Sequence, residues 1–220
     1  MAWYTPGTTY VLDYAITGSA TGSTRTNGTV TGGKTYNGQS GLLEFFQDQT
    51  TTYTAPATLA SAGTVPTQSR FYFSENGSVI NEYGGTAAVN TTVSGIAITS
   101  TTTVTYNPAK VNRRFTLAAG ASSTSSTTVS SSTTTNFGGA PATSSTESTT
   151  VTYVGQESVT IPAGTFTACK FTVRDQAGAE NTEWHGKGNG APLKLTSKAS
   201  DGSSVVLSLT SATRLNGAPL

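Results

Sequence analysis

The stretch GQESVTIPAGTFTACKFTV, residues 155–173, is the most distinctive in the chain, because two alternating runs flank a turn signal. Valine and isoleucine alternate with serine and threonine before Pro162, while Cys169 and Phe171 share one side of the run that follows. A period of two predicts β-strands that bury one face. The Pro-Ala-Gly sequence suits a three-residue loop in which a type I turn ends at Gly164. The stretch therefore predicts an antiparallel hairpin.

Short runs of the same kind recur throughout the 220 residues. The aromatic run at residues 70–74 leads to Asn76-Gly77, and residues 79–83 form a matching return. An Asn-Gly pair between apolar runs is a strong hairpin signal, because both residues tolerate a positive φ. Threonine and valine are plentiful, and β-branched side chains favour strands. We predict an all-β protein of curved antiparallel sheets, shaped as a half-barrel or a sandwich-like fold.

The chain also shows signs of an internal duplication. In each half a threonine-rich strand leads to a Gly-Gln pair, at residues 38–39 and 155–156, and a strand with phenylalanine follows. Repeats of this kind indicate that one structural unit occurs twice. We predict a first β repeat over residues 1–110 and a second over residues 111–220, which together form two units or one continuous domain.

Residues 121–150 allow two interpretations, because nearly all of them are serine, threonine or small residues. Composition alone is typical of a flexible linker. The duplication instead predicts a hairpin that turns near Gly138-Gly139 and presents hydroxyl groups on one face of a sheet. We favour the hairpin.

Composition excludes several classes of function. Only 10% of the residues are charged, and 12 Lys and Arg against 11 Asp and Glu leave a net charge of +1. Nucleic-acid and anionic-membrane binding need a concentrated positive charge, so neither partner is expected. No apolar run approaches the length of about 18 residues that a transmembrane helix needs. A charge-poor, hydroxyl-rich chain instead favours a periplasmic, outer-envelope or extracellular location.

Catalytic and metal chemistry has few candidates, because the chain has one histidine and one cysteine. We expect His185 to end a strand at the surface and Cys169 to be a buried apolar residue; a catalytic His185 and a reactive Cys169 thiol are the alternatives. The glycines at 186, 188 and 190 lack the spacing of a dinucleotide fingerprint, and a strand follows them. The acids are scattered, so we predict no metal site and no cofactor.

A family resemblance rests on residues 155–171, 182–190 and 192–194. These runs resemble uncharacterised bacterial envelope proteins and lipoproteins that carry a domain of unknown function. Their shared pattern is a Val-x-Ile-Pro-Ala-Gly-Thr-Phe hairpin, and they are distantly similar to the half-barrels of Lol-type lipoprotein carriers. The resemblance covers residues 150–213. It implies a curved antiparallel sheet and an envelope location, and it implies no catalytic residue.

The aromatic residues are the candidate ligand-binding groups. On a curved sheet they would line the concave face, where carrier folds bind acyl chains; an ordinary sheet core is the alternative. The candidates are Tyr14, Phe45, Phe71, Phe73, Trp184 and His185.

We therefore predict a non-catalytic envelope or secreted protein that binds or carries a hydrophobic ligand, a lipid or a lipoprotein partner. The alternative is a structural, self-assembling or adhesive protein, which would form homo-oligomers through edge strands or use its threonine rows. An enzyme, which would need His185 or Cys169 in a polar cleft, is the third hypothesis.

Overall fold

The structure is a computed structural model that describes residues 2–60, 63–93, 96–199 and 201–220. It contains two 3₁₀ turns, Ala2–Tyr4 and Arg114–Thr116, and one short helix, α1 (Ala57–Ala60). No helix in these residues is long and apolar enough to span a membrane. The strands, numbered in chain order, are β1 (Thr9–Gly18), β2 (Thr21–Tyr36), β3 (Gln39–Ala55), β4 (Thr64–Asn76), β5 (Val79–Val93), β6 (Ile96–Asn112), β7 (Ser122–Thr135), β8 (Gly138–Gly139), β9 (Thr143–Ile161), β10 (Gly164–Asp175), β11 (Glu180–Gly186), β12 (Pro192–Lys198), β13 (Ser204–Leu209), β14 (Arg214–Leu215) and β15 (Ala218–Pro219).

Twelve of these strands form one closed antiparallel barrel. Strands β1–β7 and β9–β13 follow each other around it, and β13 pairs with both β12 and β1. Ile16 lies opposite Leu207, and Tyr14 lies opposite Leu209. Because the sheet closes on itself, the expected open half-barrel or sandwich is not observed, while the all-β antiparallel prediction is confirmed. The internal duplication stays a prediction.

The barrel interior follows from the alternation of side chains along each strand. Tyr10, Leu12 and Ile16 of β1 are buried, and the residues between them are more exposed. Their cross-strand neighbours on β2 are small or hydroxylated, because Leu12 lies opposite Thr26 and Tyr10 lies opposite Gly28. A side chain at Gly28 would place its Cβ 2.1 Å from Cζ of Tyr10. Gly28 therefore leaves the space that the Tyr10 ring occupies.

Two aromatic turns fill part of this interior. A barrel of about eight strands is filled by its own side chains, so twelve strands leave room for additional groups. The ring centroids of Trp3 and Tyr10 are 4.7 Å apart, and those of Tyr4 and Phe45 are 5.3 Å apart. The second 3₁₀ turn supplies Phe115, whose ring lies 6.3 Å from that of Tyr4. The segments before β1 and before β7 are therefore part of the core.

The Ser/Thr-rich residues 121–150 belong to the barrel wall. Strands β7 and β9 pair antiparallel from Ser122 and Thr152 to Ser131 and Thr143, so this stretch is a hairpin in the sheet. The hairpin at Pro162-Ala163 differs in one detail from the prediction. Ile161 pairs directly with Gly164, so the loop has two residues and Gly164 is the first residue of β10.

Candidate functional site

An apolar cavity of about 230 Å³ lies in the barrel interior, and we call it the aromatic cavity. It is formed where β3, β4, β5 and β6 meet the first 3₁₀ turn. Its lining residues are Tyr4, Phe45, Phe71, Tyr72, Phe73, Ile80, Glu82, Gly84 and Tyr106.

Three rings form a packed wall of the aromatic cavity. The centroids of Phe45 and Phe73 are 4.8 Å apart, and Tyr4 meets Phe73 edge-on at 5.5 Å. Burial raises the pKa of the Tyr4 hydroxyl, which therefore stays protonated. Tilted and edge-on pairs of this kind add to the stability that burial provides.

Phe71 lies opposite Phe45 and two residues before Phe73, so it belongs to the inward face of β4. It is nevertheless 48% exposed. Its ring borders the aromatic cavity. Solvent therefore reaches an aromatic side chain on the inside of the barrel.

The cross-strand neighbours of Phe71 and Tyr72 on β5 are glycines, so the sheet carries no side chain beside these two residues there. Gly85 pairs with Phe71, and Gly84 has a φ of +121° beside an irregularity in the β4–β5 register. A Cβ on Gly84 would lie 2.0 Å from the carbonyl oxygen of Val104. Tyr36 donates a hydrogen bond to the same carbonyl at 2.7 Å. Gly84 and Gly85 therefore allow the backbone of β5 to lie close to β6 and β4 at this point.

A cluster of Arg114, Glu183 and His185 lies beside the aromatic residues. Arg114 Nη1 forms an ion pair with Glu183 Oε2, which lies 2.9 Å from His185 Nε2. Burial raises the pKa of Glu183, but the hydrogen bond from His185 and the charge of Arg114 outweigh it and lower this pKa to about 2. The cluster is therefore held together by a carboxylate that stays ionised.

His185 is buried, with 9% of its surface exposed, so the expected position at the surface is wrong. Nδ1 lies 3.2 Å from the carbonyl oxygen of Gly190 and Nε2 faces Glu183, so both ring nitrogens have partners. The rings of Phe115 and Phe171 lie against the imidazole, each at 5.7 Å. The strand ends inside a packed core, which is why His185 is covered.

Tyr14 and His185 line a second cavity of about 190 Å³, together with Glu183, Pro192, Lys194, Leu195 and Leu207. The Tyr14 hydroxyl donates to the carbonyl oxygen of Pro192 at 2.7 Å, and burial raises the pKa of this hydroxyl. Tyr14 and His185 thus share a cavity, but it is not the aromatic cavity of Phe45, Phe71 and Phe73.

A third cavity, which we call the charged cavity, has a volume of about 170 Å³ and shares one lining residue with each of the other two. It shares Glu82 with the aromatic cavity and Glu183 with the cavity of Tyr14. Its lining residues are Glu82, Lys110, Val111, Asn112, Arg113, Arg114, Ser123, Ser125, Thr149, Val151, Val173 and Glu183.

Trp184 lies on the opposite face of β11 from Glu183 and His185. Its indole N–H donates to Glu157 Oε1 at 2.6 Å, a hydrogen bond that lowers the pKa of Glu157. The ammonium groups of Lys170 and Lys194 lie 5.3 and 4.9 Å from the ring centroid. Trp184 is buried in the hydrophobic core, but it lines neither the aromatic cavity nor the cavity of Tyr14 and His185.

Cys169 lies within β10 and is half-buried. The Tyr153 hydroxyl is 3.7 Å from its Sγ atom. Within the residues that the structure describes, no three His, Cys, Asp or Glu side chains are placed to hold a metal ion.

Several lining residues were not among the sequence candidates: Ile80, Glu82, Tyr106, Lys110 and Arg114. The Asn-Gly turn places Ile80 and Glu82 on one face of a strand, which is a usable signal. The sequence contains no signal that brings Arg114 to Glu183, 69 residues away.

Comparison with known proteins found no matching family model, no matching curated protein and no matching solved structure. The resemblance to envelope proteins and Lol-type carriers therefore stays a prediction.

Proposed function

We propose that this protein is a non-catalytic binding protein that holds a hydrophobic ligand in the aromatic cavity. The observation that carries the proposal is the half-exposed ring of Phe71 inside a closed barrel. An aromatic side chain that is left uncovered within a core is unusual, because protein interiors are close-packed. A ligand that covers this ring would complete the packing.

The size of the cavity supports a small apolar group as the occupant. At about 230 Å³ it exceeds the apolar cavity of about 150 Å³ that takes up benzene. Covering the exposed half of a phenylalanine, roughly 100 Å², is worth about 2–3 kcal/mol at 25 cal/mol per Å². An aromatic ring or a short acyl chain therefore matches both the space and the available energy.

We further propose that the protein acts in the bacterial periplasm, in the outer envelope or outside the cell. The low share of charged residues, 10%, and the abundance of serine and threonine support this location. The resemblance of residues 150–213 to envelope proteins supports it as well.

We propose, too, that the barrel arose by duplication. Strands β1–β6 precede the second 3₁₀ turn and the six barrel strands β7 and β9–β13 follow it. Each set of six begins after a 3₁₀ turn that places an aromatic ring in the core. This arrangement supports two related units around one shared interior.

Native mass spectrometry of freshly purified protein, followed by denaturing extraction, tests the binding function. We expect an added mass that extracts as an apolar compound. In a titration with octan-1-ol, F71S should weaken binding by about thirtyfold, since about 2 kcal/mol of apolar contact is lost. F137S is the matched control, because Phe137 is also an exposed phenylalanine but lies in a turn outside the cavity. Equal affinities for both variants, or no bound compound and no octan-1-ol binding, would refute the proposal.

A second candidate function, surface interaction or self-assembly, is favoured by the outer face of β6, β7 and β9. Cross-strand pairing places hydroxyl residues beside one another there, such as Thr103 with Ser132 and Thr124 with Thr150. The pairing hydroxyls of Ser122 and Thr152 are 2.7 Å apart. Closure pairs the barrel strands on both sides, so we place this interaction on the hydroxyl face and not on a strand edge.

Light scattering over a range of concentrations tests the second candidate. If the hydroxyl face assembles, wild-type protein should form dimers or larger species, and lysine at Ser132 and Thr150 should keep it monomeric. A wild-type monomer at all concentrations would exclude self-assembly through this face.

A further inference from the structure

The charged cavity adjoins the aromatic cavity at Glu82, which lines both. A ligand that enters the aromatic cavity therefore has a polar chamber next to it. The chemistry of this chamber determines which polar group the ligand carries. The inference below rests on the proposed binding function and deepens it.

The acids that line the charged cavity already have partners. Glu183 is paired with Arg114, and Glu82 Oε1 accepts a hydrogen bond from Asn112 Nδ2 at 3.2 Å. The cross-strand neighbour of Glu82 is Lys110, yet the two side chains form no ion pair.

Two of the cations, in contrast, lack a counterion. Among the described residues, neither Lys110 nor Arg113 lies within ion-pair distance of a carboxylate. Lys110 is half-buried, and a charge that is removed from water without a partner is costly. The three cations and two acids that line the cavity leave a surplus of one positive charge. This surplus favours a single negative charge in the cavity.

Hydroxyl groups complete the polar lining. Ser123 and Thr149 line the same cavity from β7 and β9, and each offers an O–H donor. Hydroxyl donors, the Lys110 ammonium group and the Arg113 guanidinium group around one chamber match the acceptor oxygens of a carboxylate.

From this arrangement we propose that the ligand is an amphiphile with an anionic head group of the carboxylate type. Its apolar part lies against Phe71 in the aromatic cavity, and its carboxylate lies in the charged cavity near Lys110 and Arg113. Glu82 marks the boundary between the two parts.

Calorimetric titration with three probes of equal chain length tests the proposal: octanoate, octan-1-ol and octylamine, at pH 7. We expect octanoate to bind about ten- to a hundredfold more tightly than octan-1-ol, the range that a hydrogen-bonded charge contributes. Octylamine should bind most weakly, because its positive charge meets the unpaired cations.

Variants separate the role of the cations from effects on folding. K110M should reduce octanoate affinity about tenfold or more and should reduce octan-1-ol affinity much less, because the alcohol carries no charge. K187M is the matched control, since Lys187 is exposed and lines none of these cavities. R113Q, at an exposed position, should also weaken octanoate binding and keeps the test available if K110M does not fold.

The results distinguish the two levels of the proposal. If none of the three probes binds, the binding function itself fails. If octan-1-ol binds as tightly as octanoate, or if octylamine binds best, the cavity binds apolar ligands but the anionic head group is refuted. If K110M and R113Q leave octanoate affinity unchanged, the charged cavity does not hold the carboxylate.

Discussion

Replacing Glu183 by glutamine tests whether the buried ion cluster stabilises the barrel. The side chains of Arg114 and Glu183 are 14% and 20% exposed, so solvent screens their attraction only in part. The pKa of Glu183 falls from an ordinary 4.5 to about 2. Each pKa unit is worth about 1.36 kcal/mol, so the ionised carboxylate stabilises the fold by about 3 kcal/mol at neutral pH. The free energy of unfolding of E183Q should therefore be lower than that of the wild type by about this amount.

The pH dependence gives the sharper test, because a carboxylate with a lowered pKa stabilises the fold only while it is ionised. The contribution is complete above about pH 4.5 and is lost as the pH falls towards 2. We expect urea denaturation to show that the free-energy difference between wild type and E183Q shrinks by about 2 kcal/mol between pH 7 and pH 3. Other carboxylates titrate in both proteins and cancel in this difference.

A control on the same strand distinguishes the buried cluster from an ordinary ion pair. Glu180 pairs with Arg174 at 2.7 Å, but both side chains are more exposed, at 39% and 65%. E180Q should change the free energy of unfolding by less than about 1 kcal/mol. The assigned role of Glu183 would be refuted if the difference in free energy of unfolding between wild type and E183Q did not vary with pH. It would also be refuted if E183Q were as stable as E180Q.

Two further substitutions test the packing of the interior by denaturant unfolding. G28A should lower the free energy of unfolding by about 1–3 kcal/mol, because its Cβ would overlap the buried Tyr10 ring. G32A should lower it less, because its Cβ would lie 3.7 Å from the nearest atom. F171A should lower the free energy of unfolding by about 3–5 kcal/mol, since Phe171 is 1% exposed and contacts Tyr153, Phe115 and His185. F137A, at an exposed turn, should stay within about 0.5 kcal/mol of wild type. An F171A as stable as F137A would contradict the described core.

Local patterns in the sequence were sufficient to predict the strands and many of their faces. The alternation around Pro162 predicts the β9–β10 hairpin, and the apolar positions of β1 predict which side of β1 is buried. These features depend on neighbours in the chain, so composition and period determine them. The turn itself was one residue shorter than predicted because Gly164 joins the ladder.

Closure of the barrel lies beyond local patterns. It depends on pairing between β1 and β13, whose residues are almost 200 positions apart, and on the register summed around twelve strands. A curved sheet of the same sequence period is compatible with an open half-barrel or a closed barrel. The sequence therefore predicted curvature but not closure.

The candidate site was predicted in part. Phe45, Phe71 and Phe73 share the aromatic cavity, because they occupy matching positions on paired strands. Trp184 and His185 are adjacent in one strand, so alternation alone already separates their faces. The charged neighbours of the site could not be predicted, because Arg114 enters the interior through a 3₁₀ turn that leaves no periodic signal.

Nuclear magnetic resonance of the phenylalanine ring signals during a titration with octan-1-ol shows whether an apolar ligand binds inside the barrel. If the barrel interior holds an apolar ligand, the signals of Phe45, Phe71 and Phe73 should shift together and saturate with one Kd. The Phe137 signals should stay unchanged. A shift confined to Phe137, or shifts that rise without saturation, would show that the probe binds the surface and not the aromatic cavity.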